Sequence, residues 1–218
     1  MSLNKEKNFV SAVVYLYNEE NSVKKFLTSL NELLKTNFEK YEIICVNDTS
    51  TDNTAKAVEE FCDENSVKSL TMIDTSFFQG VENAMVAGLD ISIGDFVFEF
   101  DSCLMDYEPT AIMEVYKKSL TGYDIVFGVP EGASKFSSRM FYKMFNKFSN
   151  MNYKIKTQRF SIISRRGINR VKSIGVRTVY RKAVYASCGL PATDYVYKPL
   201  ENAKRNDAQY PVKKNLAL

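Results

Sequence analysis

The sequence contains no histidine among its 218 residues. That absence excludes catalysis by an imidazole and any zinc site built on one. Cysteine is scarce. Cys45, Cys62, Cys103 and Cys188 form no CxxC pair, and Cys45 lies in an apolar run. A reduced, cytoplasmic chain is expected rather than a disulfide framework. No apolar stretch is long enough to span a bilayer, and the polar residues 1–7 do not read as a signal peptide. The turn Tyr17-Asn18-Glu19-Glu20-Asn21 has none of the glycines that let backbone approach a dinucleotide pyrophosphate. A Gly-x4-Gly-Lys-Ser/Thr phosphate loop is also missing. Arginine does not occur before Arg139.

What is present is a regular alternation. Residues 9–17 read as a buried strand, followed by a helix opened by Asn18 with Glu19 and Glu20 in its first turn. Val23, Phe26, Leu27, Leu30, Leu33 and Leu34 form its apolar stripe. Further strands are expected over 41–47, 67–74, 95–100 and 123–129. Helices are expected between them, reaching about Glu64, over 81–91 and over 110–120. This spacing predicts an α/β fold, a mostly parallel sheet with helices on both faces. Ligands bind such sheets beyond the carboxyl ends of the strands, where Asn18, Asp48 and Asp101 are placed. Asp48 and Asp101 are expected to end adjacent strands and face one cleft.

Beyond Pro130 the pattern changes. Residues 1–120 carry 10 Lys and Arg against 21 Asp and Glu, whereas 121–218 carry 19 against 5. A carboxylate-rich part, 1–130, joined to a basic part, 131–218, of the same domain suits a metal or sugar site meeting an anionic partner. The same split also fits a scattered, solvated surface. In residues 137–151, Met140, Phe141, Met144, Phe145 and Phe148 share one side, beside a basic row of Arg139, Lys143 and Lys147. That pattern suits a helix lying on an anionic membrane surface, or one packed on its own domain. No nucleic-acid partner is expected.

The stretch DFVFEFDSCLMDYEP, 95–109, runs a greasy strand into Asp101. Polar side chains at such strand ends suit a base, a ribose and a diphosphate held through a divalent cation, and hard oxygen ligands suit Mg²⁺ or Mn²⁺. Four blocks carry a resemblance: VSAVVYLYNEENSVKKFL, EIICVNDTSTDNT, GVENAMVAGLDISIGDFVFEFDSCLMD and YDIVFGV. In that order the chain resembles family-2 glycosyltransferases of the GT-A fold, and within them the dolichyl-phosphate mannose synthase and bacterial polyprenyl-phosphate glycosyltransferase branch. The resemblance implies that Tyr17, Asn18 and Glu19 shape the nucleotide pocket. It implies that Asp48, the second acid of an Asp-Asp-x-Ser motif, contacts the base. Asp101, the first acid of an Asp-x-Asp motif, would lie near the ribose and the metal-bound diphosphate.

The departures are as specific. Asn47 replaces the first acid of the Asp-Asp pair, and Cys103 the second acid of Asp-x-Asp. Phe77 stands where the branch often has an arginine, and Arg159-Phe160-Ser161 where it reads Asp-Phe-Arg. Thiolate is a soft ligand and a poor one for Mg²⁺. Asp106, on the following loop, is the preferred second metal ligand, and Asp101 with Asp106 the expected catalytic pair. Arg159 and Arg165 are candidates for the acceptor or a phosphate.

The expected activity is transfer of a sugar from a nucleotide-sugar, with inversion, to a polyprenyl phosphate or a growing glycan. The expected place is the cytoplasm, at the inner face of the membrane for a lipid-phosphate acceptor. The alternative is a catalytically weak module that binds a nucleotide or a partner on the same fold.

Overall fold

The structure is a computed structural model that describes residues 5–132, 156–175 and 180–200. Among the described residues seven strands form one sheet in the order β3-β2-β1-β4-β6-β5-β7. They are β1 (Val10–Leu16), β2 (Tyr41–Asn47), β3 (Leu70–Asp74), β4 (Phe96–Phe100), β5 (Ile125–Pro130), β6 (Phe160–Ser164) and β7 (Ala192–Tyr197). Only β6 runs against its neighbours, β4 and β5; the other pairs are parallel. Among the described residues the helices are α1 (Val23–Asn37), α2 (Thr54–Asn65), α3 (Val81–Ile91), α4 (Thr110–Ser119), α5 (Arg165–Ile174) and α6 (Arg181–Ser187).

Every residue of β1 is buried, because helices cover both faces of the sheet. Val10, Ala12, Val14 and Leu16 join the apolar cluster under α1, α2 and α4. Val13 and Tyr15 join the opposite cluster, with Ala84, Met85 and Leu89 of α3, Ile168 of α5 and Tyr185 of α6. The six apolar positions foreseen for α1 are all buried. At Gly88 helix α3 lies so close to the sheet that a Cβ would stand 2.4 Å from Val13 Cγ1.

Some boundaries differ from the sequence reading, for local reasons. Helix α1 begins at Val23 rather than at Asn18. Asn18 is left-handed, with φ 54°, and its side chain serves a neighbouring loop instead of a helix N-terminus. Strand β3 begins at Leu70 rather than 67, because Ser66 turns left-handed behind α2 and the Val67 N–H closes back on the Cys62 carbonyl. Asp48 and Asp101 do not follow adjacent strands, since β1 lies between β2 and β4. Their strands are parallel, so both residues still lie at one end of the sheet. Strands β6 and β7 had no counterpart in the sequence reading.

Candidate functional site

Two loops at the carboxyl ends of β1 and β2 lock together. The Asn18 N–H donates to Ser50 Oγ (3.0 Å), and Asn18 Oδ1 accepts from the Thr51 N–H (2.8 Å). The Glu19 N–H donates to Thr54 Oγ1 at 2.7 Å. Glu20 and Asp52 complete the exchange: Asp52 Oδ2 accepts from the Glu20 N–H, and Glu20 Oε2 from the Asn53 N–H. Asn18 and Glu19 thus form the frame of this rim. Tyr17, half-buried, packs edge-on against Phe78 from the loop before α3, with ring centroids 4.9 Å apart.

Asp48 is 0% exposed. Its Oδ1 accepts from the Gln79 N–H (2.7 Å) and Thr75 Oγ1 (3.1 Å), and its Oδ2 from the Gly80 N–H (2.8 Å) and the Tyr15 hydroxyl (3.0 Å). Four donors satisfy a carboxylate that could not otherwise be buried. Gly80 carries φ 79°, a backbone state glycine adopts without strain. Asp48 therefore shapes the loop from Thr75 to Gly80 that leads into α3. Asn47 beside it donates to Asp74 Oδ1 at 2.7 Å.

A cluster of charged side chains lies at the end of β4. Glu99 and Asp101, two residues apart on an extended strand, project to the same face, under α6. Arg181, the first residue of α6, is 1% exposed and reaches three carboxylates. Its Nη2 is 2.6 Å from Asp101 Oδ1, its Nε 3.1 Å from Glu99 Oε2, and its Nη1 3.0 Å from Glu82 Oε2. The Arg181 backbone N–H also donates to Glu82 Oε2. Lys182 Nζ stands 2.8 Å from Asp101 Oδ2, and the Tyr185 hydroxyl donates to Glu99 Oε1.

These contacts set the ionisation of the cluster. Burial pushes the Glu99 carboxyl above its usual range, against the pull of Arg181 and Tyr185. Burial opposes the charge on Asp101 as well, but Lys182 and Arg181 outweigh it and hold that carboxyl well below the usual range. Burial alone would lower Lys182; Asp101 more than offsets it, so its ammonium is held more firmly than usual.

The other sequence candidates are spread out. Asp106 is buried; its Oδ2 accepts from Arg159 Nε and its Oδ1 from the Tyr197 hydroxyl, each at 2.7 Å. Arg159 and Asp106 are thus joined, as an ion pair rather than as two separate ligand groups. Arg165 lies at the opposite end of β4 from Asp101. It binds the carbonyls of Ser92 and Gly94 ahead of that strand, so the fold does not bring it to the candidate cleft. Arg139, Lys143 and Lys147 lie outside the described residues. In the sequence Arg181 and Lys182 are only two of the 19 Lys and Arg residues of 121–218. The signal that could have singled out a cation is Glu99, an acid inside an apolar strand, which demands a buried partner.

The model of glycosyl transferase family 2 matches residues 11–187. The chain belongs to this family. An uncharacterized glycosyltransferase of Synechocystis sp. is 31% identical over 190 residues, covering 84% of this chain and 59% of that protein. A prophage bactoprenol glucosyl transferase homolog of Escherichia coli K12 is 27% identical over 188 residues, covering 83% and 60%. The chain spans about three fifths of the length of these curated relatives. A mannosyltransferase from Pyrobaculum calidifontis, solved with GDP-Man and Mn²⁺, superposes with a TM-score of 0.69 at 17% identity, over 94% of this chain and 59% of that one. The fold is accordingly GT-A, as the family resemblance implied.

The Mn²⁺ of that structural neighbour raises the question whether these residues fit a divalent ion. As arranged, they do not. Both oxygens of Asp101 face cations, and both oxygens of Asp106 are taken by Arg159 and Tyr197. Cys103 packs in the apolar cluster beneath α1 and α4, where burial pushes its thiol well up. Among the described residues no three His, Cys, Asp or Glu groups converge to hold a metal ion.

Proposed function

We propose that this chain carries the donor-binding part of a glycosyltransferase that moves a sugar from a nucleotide-sugar to a polyprenyl phosphate. The observation that carries the reading is the charge cluster at the end of β4. Asp101 there is held ionised by Arg181 and Lys182, at the sheet end where a GT-A fold takes its nucleotide. The bactoprenol glucosyl transferase homolog supports a lipid-phosphate acceptor.

In the proposed reaction an oxygen of the acceptor phosphate attacks the anomeric carbon as the bond from that carbon to the diphosphate breaks. The nucleoside diphosphate leaves with the bonding pair, and the anomeric configuration inverts. A phosphate oxygen is already ionised and needs no general base, so Arg159 in place of the branch's Asp is compatible with this acceptor. Fixed cations near the cleft stabilise the charge that develops on the leaving group. Asn18 and Glu19 frame the nucleotide pocket, Tyr17 offers an aromatic edge to it, and Asp48 holds the loop that closes one side. No helix among the described residues is long and apolar enough to cross a membrane. Contact with a lipid acceptor would take place through the basic half of the chain.

The test is incubation with a panel of nucleotide-sugars and a short-chain polyprenyl phosphate, with mass spectrometry of the lipid fraction. A glycosylated lipid phosphate is expected. Transfer to a soluble glycan instead would replace the acceptor. Nucleotide binding without transfer to either would favour the second reading, a binding module. The specific observation on that side is that Asp101 and Asp106 are both occupied by side chains of the chain itself.

A further inference from the structure

Asp101 is the first acid of an Asp-x-Asp position whose second acid is missing, and two cations of this chain already sit on its carboxylate. Lys182 Nζ is 2.8 Å from Oδ2 and Arg181 Nη2 is 2.6 Å from Oδ1. Together they carry two positive charges, the charge of one divalent ion. The two differ in what they have left to offer. Arg181 spends each of its three nitrogens on a separate carboxylate: Nε on Glu99, Nη1 on Glu82 and Nη2 on Asp101. An ammonium has three N–H donors, and Asp101 is the ionic partner of Lys182 among the described residues.

The cluster is closed at its base, where Glu99 and Arg181 are each 1% exposed, and opens at Asp101, whose side chain is 27% exposed. Lys182, at 12%, stands at that opening. Cys103, 5% exposed, packs with the apolar cluster on the other face of the sheet and adds no oxygen ligand.

We propose that Lys182, docked on Asp101 and backed by Arg181, binds the diphosphate of the nucleotide donor directly, so that this chain takes a nucleoside diphosphate without a divalent cation. The inference rests on the glycosyltransferase reading above and names what holds the donor there. A lysine ammonium is a compact point charge suited to phosphate oxygens. Asp101 becomes the residue that positions this ammonium, and Arg181 the buried brace that keeps Asp101 ionised and in place. Glu82 ties the brace to the first turn of α3, beside the loop that Asp48 organises. Lys182 would hold the diphosphate and then the leaving nucleoside diphosphate through the same spare donors.

The test is isothermal titration of the whole chain with UDP, GDP and dTDP, in EDTA and again in Mn²⁺. At least one of the three is expected to bind with comparable affinity in both. Lys182→Gln should weaken that binding by about tenfold or more, the loss of a charge-assisted contact. Lys182→Arg, which keeps the charge, should retain most of it, and Lys182→Met, which keeps the stem without the charge, decides the matter if Lys182→Gln melts early. Binding that vanishes in EDTA and returns with Mn²⁺ would overturn the inference and leave the glycosyltransferase reading standing. Metal-independent binding unmoved by Lys182→Gln would overturn the role of Lys182. No binding of any of the three in either buffer would overturn both the inference and the reading beneath it.

Discussion

Arg181 Nε and Glu99 Oε2 lie 3.1 Å apart in a part of the protein that water does not reach. A pair of this kind binds the fold together only while both members are present. Arg181→Ala leaves Glu99 buried beside other carboxylates and should lower stability by about 3–5 kcal/mol. Adding Glu99→Gln should recover part of that loss, because the stranded charge is gone. Urea unfolding of the two single variants and the double variant gives the coupling. Strict additivity would mean that the two side chains act independently.

Asp48 is a second buried carboxylate, held by two backbone N–H groups and two hydroxyls and, among the described residues, without a cationic partner. Asp48→Asn keeps the shape but turns an amide NH₂ toward some of those donors. A loss of about 1.5–3 kcal/mol is expected, the range for hydrogen bonds to a charged group. Faster amide exchange at Gln79 and Gly80 should accompany it. Unchanged protection there would show that the loop stands without Asp48.

Cys103→Asp tests whether the missing acid can simply be put back. The side chain at this position enters an apolar cluster, so an aspartate there is costly to bury. The variant should melt earlier than the wild type, and Mn²⁺ should not restore the melting temperature. Cys103→Ala should be much milder. A Mn²⁺-dependent rise in the Cys103→Asp melting temperature would mean that the loop can turn this position toward the cleft.

The acids of the cluster make opposite contributions to pH dependence. Asp101 is held below its ordinary value of 3.8, so its stabilising contacts are complete above that value and are lost as pH falls through the folded pKa. Glu99 is held above its ordinary value of 4.5, so the fold favours its protonated form, and its contribution declines as pH rises through the folded pKa. Asp101→Asn should therefore flatten the acid limb of the stability profile, and Glu99→Gln the decline above 4.5. Unfolding midpoints measured from about pH 2 to 8 check both signs.

The α/β half of the fold was legible because its signals are local. The change from strand to helical periodicity marks each element from β1 to β5, and the stripe of α1 needs no tertiary information. Strand β6 was harder. Its five residues pair with two strands far away in sequence, and a short apolar run does not reveal an antiparallel insertion. The site followed the same division. Asp101 stood out as an acid at a strand end. Asp48 stood out too, but not the convergence of Tyr15, Thr75, Gln79 and Gly80 that turns it inward. Arg181 is one of eight basic residues between 159 and 182. Nothing in their spacing separates it from the rest. Only the packing of α6 over β4 takes it out of water and onto three carboxylates.

Because β6 runs backwards between β4 and β5, the chain leaves the sheet at the end of β5 and re-enters it at the start of β6, beside where it left. The Arg159 N–H is 3.0 Å from the Gly128 carbonyl, at the same end of the sheet as Asp101. A segment that departs and returns between paired neighbours works as an exchangeable cassette. Its length can change without shifting any strand register, and each doubling costs only about 0.6 kcal/mol of closure entropy. Selection, or a protein engineer, can thus lengthen or shorten the connection from β5 to β6 while the β1–β4 framework stays as it is.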